Sequence, residues 1–314
     1  MPDILQKQPI MNRVLYALLP INIFSIYLFG WRVLVMLFIS NLAAFLTEYL
    51  FIRNKKNGKV SMAVFVTGSL LACTLPPTLP LWMVAVGAAF ALSFGKMVYG
   101  GFGMNVFNPA IVGRAFLYIC FPEQMTVTWI KSYQWHDYPG GLVHWLGEPA
   151  MRTSATLMAQ LKHTGSTDYS FLNAFLGFIP GSLGETSALL ISIAAIYLIV
   201  TKTAKWQPML ATTLSWLLFS LILDGRHNPL FTIVTGGALF GIVFMTTDPV
   251  TQAKGRIAIW VYGLLIGFLT VFIKKYSLFY GGMMFAILLT NAVMPIVEIG
   301  LDKWFPLAAK GGKA

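Results

Sequence analysis

Apolar runs close to 18 residues or longer recur along almost the whole chain, and this pattern constrains the fold more than any other feature. They lie at about 14–30, 33–52, 60–75, 81–98, 107–121, 171–200 (interrupted), 207–223, 229–246, 257–273 and 279–299. A run of that length matches the hydrocarbon thickness of a bilayer when helical. The expected class is therefore an all-α integral membrane protein with about nine to ten transmembrane helices. Composition agrees: of 314 residues, 57% are hydrophobic and 11% charged, against roughly 25% charged in soluble domains. The first thirteen residues are polar or mixed and two apolar runs follow closely, which reads as a helical hairpin held in the membrane and not as a cleavable signal peptide.

The formal net charge of +11 does not point to nucleic acid, because the basic residues sit in short connections between apolar runs. Arg53–Lys59, Thr201–Lys205, Ala253–Arg256 and the tail with Lys303, Lys310 and Lys313 all read as cytoplasmic. Counting crossings between them puts both termini in the cytoplasm and the interval 122–170 on the opposite side. Lys274 and Lys275 fall on that opposite side, against the rule. The chain divides into a first membrane half, 1–121, an extracytoplasmic loop, 122–170, and a second membrane half, 171–314. Cys73 and Cys120 lie in apolar segments without a Cys-x-x-Cys pattern, so both read as small buried hydrophobes and no self-contained metal site is expected.

Several apolar runs are broken by Pro or Gly. "VTGSLLACTLPPTLP" (Val66–Pro80) stops at Pro76-Pro77, "GGFGMNVFNPAIVGRAF" (Gly100–Phe116) joins a Gly-rich turn to a helix starting at Pro109, and "FLGFIPGSLGETSALLI" (Phe175–Ile191) repeats the style. "FTIVTGGALFGIVFMTTDPVT" (Phe231–Thr251) ends in a polar turn. Breaks at membrane depth are tolerated where protein buries them or a cavity is lined by them. Paired breaks in two halves point to inverted repeats around a central site.

The polar residues within these breaks are the candidate site. Gly100, Gly101 and Gly103 do not match a dinucleotide fingerprint, and no strand precedes them. Arg114 is a guanidinium in an apolar run, so it either meets a cofactor or anion or makes an internal salt bridge. Glu185 reads as a first-turn carboxylate of the helix after Gly184 or as a residue on an ion route. Asp248, before Pro249, reads as a turn and helix start or as part of the same route. Glu48, Asp224, Asn291 and Glu298 are further polar interruptions. In "RTSATLMAQLK" (Arg152–Lys162), Thr153 or Ser154 reads locally as the cap of a short helix beginning near Thr156.

Taken together, "LTEYLF", "TLPPTLPLW", "GFGMNVFNPAIVGRAFL", "GSLGETSALL", "TDPVT" and "GMMFAILLTNAVMPIVE" occur in order from about residue 46 to 298. In these stretches the chain resembles the family that holds the D subunit of the Rnf ion-translocating ferredoxin:NAD oxidoreductase and the B subunit of the Na⁺-pumping NADH:quinone reductase. Its length is more like that of the Rnf protein. The resemblance implies a urea-transporter-like fold with two inverted halves, in a bacterial or archaeal cytoplasmic membrane. It implies FMN joined by a phosphoester bond to Thr156, placed there by a flavin transferase, since Thr153-Ser154-Ala155-Thr156 aligns with a Ser-Gly-Ala-Thr-like motif. Ser154 stands in place of the usual Gly, and Ala150 where Asp is common. Trp129, Trp135 and Trp145 are candidates for stacking on that flavin. A second, non-covalent riboflavin or FMN near the membrane core is assigned to Asn108 and Arg114. The implied partners are the other membrane and peripheral Rnf subunits, with ferredoxin and NAD reached through them. The implied activity is redox-driven transport of Na⁺ or H⁺. The alternatives are the quinone-reductase protein of the same family and a solute channel without redox function.

Overall fold

A computed structural model describes residues 5–55, 58–127, 129–147, 169–224, 228–235, 237–277 and 282–304. The first half contains α1 (Pro9–Phe29), α2 (Arg32–Ile52), α3 (Ala63–Cys73), α4 (Leu81–Leu92) and α5 (Pro109–Cys120). Two short helices, α6 (Pro122–Thr126) and α7 (Phe171–Leu176), flank the loop region. The second half contains α8 (Ala188–Val200), α9 (Trp206–Asp224), α10 (Pro229–Val234), α11 (Ala238–Phe240), α12 (Arg256–Tyr276) and α13 (Gly282–Trp304). Two helices run on as π turns, α4 through Ser93–Met97 and α11 through Gly241–Met245.

The chain is an all-α integral membrane protein. Five described helices, α1, α2, α9, α12 and α13, are long and apolar enough to cross a bilayer. Four shorter apolar helices accompany them: 63–73, 81–97, 109–120 and 188–200. Leu19, Ile23, Phe38, Leu46, Leu221 and Ile296 are exposed on the outside, which suits lipid as the surrounding solvent.

Local chemistry starts the helices where the apolar runs allow it. Pro9, Pro109 and Pro229 occupy first-turn positions, where a missing N–H costs nothing. Asn108 Oδ1 accepts from Ala110 N and Ile111 N, and Asn228 caps α10 through Leu230 N. Pro9 starts α1 earlier than the apolar run alone implies. The extra turn carries Arg13, which donates to the Thr201 carbonyl at 2.7 Å.

Helix α2 packs on α3 and α4, and α4 on α5; likewise α9 packs on α12, and α12 on α13. The α9–α12 contact is set by two glycines one turn apart. A Cβ at Gly263 would lie 2.5 Å from Ala211 Cβ, and one at Gly267 2.5 Å from Ser215 Cβ. Small residues let membrane helices approach closely, where van der Waals contact replaces the hydrophobic driving force. Lys275 donates to the Leu223 carbonyl at the end of α9, and Lys274 lies over the Trp216 ring at 5.3 Å. These contacts give both lysines an internal reason for their position.

The described part of the loop region packs on the α1–α2 turn. Tyr133 N donates to Leu28 O at 3.1 Å and Gly147 N to Phe29 O at 3.0 Å; Trp31 N donates to His144 O at 3.1 Å. Cys73 is buried as expected, whereas Cys120 is exposed, because it closes α5 on the outer face.

Gly267→Val is expected to drive α9 and α12 apart, at about 1–3 kcal/mol for overpacking. Its thermal unfolding midpoint in detergent should fall, while Gly300→Val, where a Cβ meets nothing within 4 Å, should leave it unchanged.

Candidate functional site

The break after α3 is closed by the "GSLGE" segment of the second half. Gly184 N donates to Cys73 O at 2.7 Å and Leu183 N to Leu75 O at 3.2 Å. These bonds satisfy carbonyls that the end of a helix leaves open in the membrane. Gly is required at 184, since a Cβ would lie 2.5 Å from Cys73 Cβ. From α1, Ser25 Oγ donates to the Leu183 carbonyl, and Asn22 Oδ1 accepts from Cys73 Sγ at 3.1 Å.

One residue further on, Glu185 forms a salt bridge with Arg114 of α5. The Glu185 carboxylate also lies against Gly237, the left-handed residue (φ +74°) that precedes α11. The positive end of a helix favours a carboxylate there. This corrects the first-turn reading of Glu185: α8 begins at Ala188 and is capped by Ser187, which accepts from Leu190 N. For Arg114 it is the internal salt bridge that the structure shows.

Asn108 and Asp248 meet across the two halves. Asn108 Nδ2 donates to Asp248 Oδ2 at 3.2 Å, while Asp248 Oδ1 accepts from Val250 N at 3.0 Å. Asp248 sits in a turn, but no helix starts at Pro249; the next one, α12, begins at Arg256. Beside this pair is a cavity of about 60 Å³, bordered by Asn105, Asn108, Asp248, Thr67, Thr247 and Lys96. Arg114 does not border it, so of the two residues assigned to a second flavin only Asn108 does.

Lys96 is a site residue that the linear pattern does not single out. It lies in the π turn of α4, is 2% exposed, and donates to Glu48 Oε2 and Ser61 Oγ at 2.5 Å each. Ser61 N donates to Glu48 Oε1 at 2.9 Å. A single lysine inside an otherwise apolar run is the available signal, because such a charge is retained only with a partner or a cavity. Here it has both. Strand β2 (Val60–Ser61) presents Ser61 and is held by parallel pairing with β1 (Leu5–Gln6). Both π turns border the cavity, through Lys96 and Phe244, and π turns are frequent at functional sites.

The other candidates are dispersed. Glu298 Oε1 accepts from Lys254 N at 2.6 Å, and Asn291 Oδ1 from the Tyr262 hydroxyl at 3.0 Å. Trp129 donates to the Thr126 carbonyl at 2.8 Å, Trp145 meets Trp31 edge to face, and Trp135 is exposed. Ala150, Thr153, Ser154 and Thr156 lie outside the described residues, as does the side chain of Asp224. Among the described residues no group of three or more His, Cys, Asp or Glu forms a metal site.

Arg114→Leu leaves Glu185 buried without its cation. The expected loss is about 3 kcal/mol, the low end for a broken buried pair, because Arg114 keeps some exposure. Arg114→Leu/Glu185→Leu should lose less than Arg114→Leu alone, read as unfolding midpoints in detergent.

Comparison with known proteins gives the kinship of this arrangement. The family model described as NQR2, RnfD and RnfE matches residues 3–303. The chain is 37% identical over 263 residues to the B subunit of the Na(+)-translocating NADH-quinone reductase of Ectopseudomonas mendocina, covering 80% of this chain and 62% of that one. It is 39% identical over 256 residues to the protein of the same name from Chromohalobacter salexigens, covering 78% and 59%. The corresponding Azotobacter vinelandii protein is 36% identical over 261 residues, covering 80% and 62%. The chain thus spans about three fifths of the length of these curated relatives. With the family model matched over nearly all of its residues, the chain belongs to the NQR2, RnfD and RnfE family.

Proposed function

We propose that this chain is a membrane subunit of a redox-driven, ion-translocating oxidoreductase in a bacterial cytoplasmic membrane. The single observation that carries this reading is the match to relatives named as the B subunit of a Na(+)-translocating NADH-quinone reductase. Those names favour the quinone-reductase assignment over the Rnf D subunit expected from the sequence. The family description covers both. The partners are then the other subunits of such a complex, with both termini of this chain on the cytoplasmic side. The paired breaks support two inverted halves of the urea-transporter type.

The cofactor reading is FMN on Thr156. A phosphoester tether needs a hydroxyl with small neighbours, and Ser154 and Ala155 supply them. Bound there, the flavin contributes the electron transfer itself, while the protein positions it and tunes its surroundings. A second, non-covalent flavin is assigned to the cavity beside Asn108. The donor set fits the polar edge of an isoalloxazine: two side-chain amides, Asn105 and Asn108, with Lys96 and Asp248 adjoining. In this reading Asn108 orients the ring, and its bond to Asp248 holds the amide in one orientation. Lys96 brings a positive charge to one wall, held in place by Glu48. Glu185 and Asp248 remain the candidates for an ion route. The paired and capped state of both argues that any such route involves exchange of these partners. A solute channel without redox function is disfavoured by the relatives' names.

Mass spectrometry of the tryptic peptide bearing Thr156, from cells with an active flavin transferase, should show the mass of one FMN phosphoester, absent in Thr156→Ala. An unmodified Thr156 peptide would overturn the covalent assignment. Co-purification with a ferredoxin-type iron–sulfur protein of the Rnf kind, in place of quinone-reductase partners, would return the assignment to Rnf.

A further inference from the structure

The loop region that clasps the α1–α2 turn has an unusual surface. Between residues 132 and 147, Trp135, Tyr138, Leu142, Val143 and Trp145 are all exposed, Trp135 by 82% and Tyr138 by 80%. The same stretch holds one carboxylate, two histidines and no lysine or arginine. The carboxylate is committed to the backbone, since Asp137 Oδ2 accepts from Gln134 N at 2.7 Å. Large apolar side chains exposed together with so little charge mark a contact with a membrane or a protein.

The surroundings select the membrane. Trp31, Leu34, Phe38, Leu42 and Leu46 form an exposed stripe along α2, the face it turns to lipid. Trp31 heads that stripe and meets Trp145 edge to face at 4.2 Å. On α1, Tyr16, Leu19 and Ile23 are exposed, and the next turn, Ile26 and Tyr27, is covered by the loop. A Cβ on Gly140 would lie 2.9 Å from Tyr27 Cε2, and one on Gly141 2.5 Å from Ile26 O. The loop thus closes over the ends of two lipid-facing stripes and continues both. Helix α1 has 21 residues, a length of about 31 Å, which matches the hydrocarbon core. Its end at Phe29 therefore lies where hydrocarbon gives way to headgroups, the level at which Trp and Tyr concentrate. The backbone suits that level as well. Asp137 N donates to Gln134 O at 3.1 Å, Leu142 N to Pro139 O at 3.3 Å and His144 N to Gly141 O at 3.2 Å, so these turns satisfy donors of their own where lipid offers no partner.

We propose that residues 134–145 are an interfacial membrane anchor, with Trp135, Tyr138, Leu142 and Val143 set among the phospholipid headgroups of the leaflet at the α1–α2 turn. The clasp ends at Gly147, nine residues before Thr156. Nine residues reach about 30 Å at full extension, so the anchor keeps any group carried by Thr156 within that distance of the bilayer. The anchor itself uses nothing of the flavin reading.

The test is lipid photolabelling of the complex purified through this chain, in phosphatidylcholine liposomes that include a phosphatidylcholine with a diazirine close to its glycerol backbone. Trypsin releases residues 132–152 as one peptide and residues 33–53, from the α2 stripe, as another. Lipid adducts are expected on both, those on 132–152 at Trp135, Tyr138, Leu142 or Val143. Trp135→Asp/Leu142→Asp should lower the yield on 132–152 at least fivefold and leave that on 33–53 unchanged. Adducts on 33–53 with none on 132–152 would overturn the anchor. Hydroxyl-radical oxidation of Trp135 then distinguishes water, which leaves it reactive, from a covering subunit, which protects it. An unchanged yield on 132–152 in Trp135→Asp/Leu142→Asp would also contradict the proposal.

Discussion

Lipid offers no hydrogen bonds, and the break after α3 is closed in answer to that constraint. The end of α3 leaves carbonyls open in the interior, and Gly184 and Leu183 from the other half of the chain close them. The same segment places Glu185 between the Arg114 guanidinium and the start of α11. Two breaks, one from each half, therefore satisfy each other. Neither half completes its own backbone bonding at this level, which makes the junction between them the point on which the rest of the architecture depends.

Buried charge follows the same logic. Lys96, Glu48 and Ser61 form a closed set of short contacts, and Asp248 is held by Asn108 and Val250. Removing ions from water is costly unless partners replace the hydration shell. The placement of both sets on one cavity, between two π turns, gives that cost a functional location.

Much of the fold is legible in the linear pattern. Apolar runs mark nearly every described helix, and Asn108-Pro109 marks the start of α5 with its cap. The site is only partly legible. Arg114 stands out as an unusual charge, but its partner is 71 residues away, and periodicity carries no information at that range. Glu185 reads wrongly as a first-turn carboxylate because Gly184 looks like a helix boundary, whereas the glycine serves close approach to Cys73. Lys96 carries a signal as a lone lysine in an apolar run, but only the fold brings its partners Glu48 and Ser61 to it. Thr156 has no local signal beyond a helix cap; the role proposed for it rests on resemblance to the family.

We propose that this subunit belongs to a machine that couples electron transfer to cation movement. The most direct measurement is cation uptake by liposomes holding the complex purified through this chain, energised with NADH and a soluble quinone. The expected result is ²²Na⁺ accumulation that requires both substrates and is lost in Thr156→Ala. NADH oxidation with no movement of Na⁺ or H⁺, or full uptake by Thr156→Ala, would contradict it.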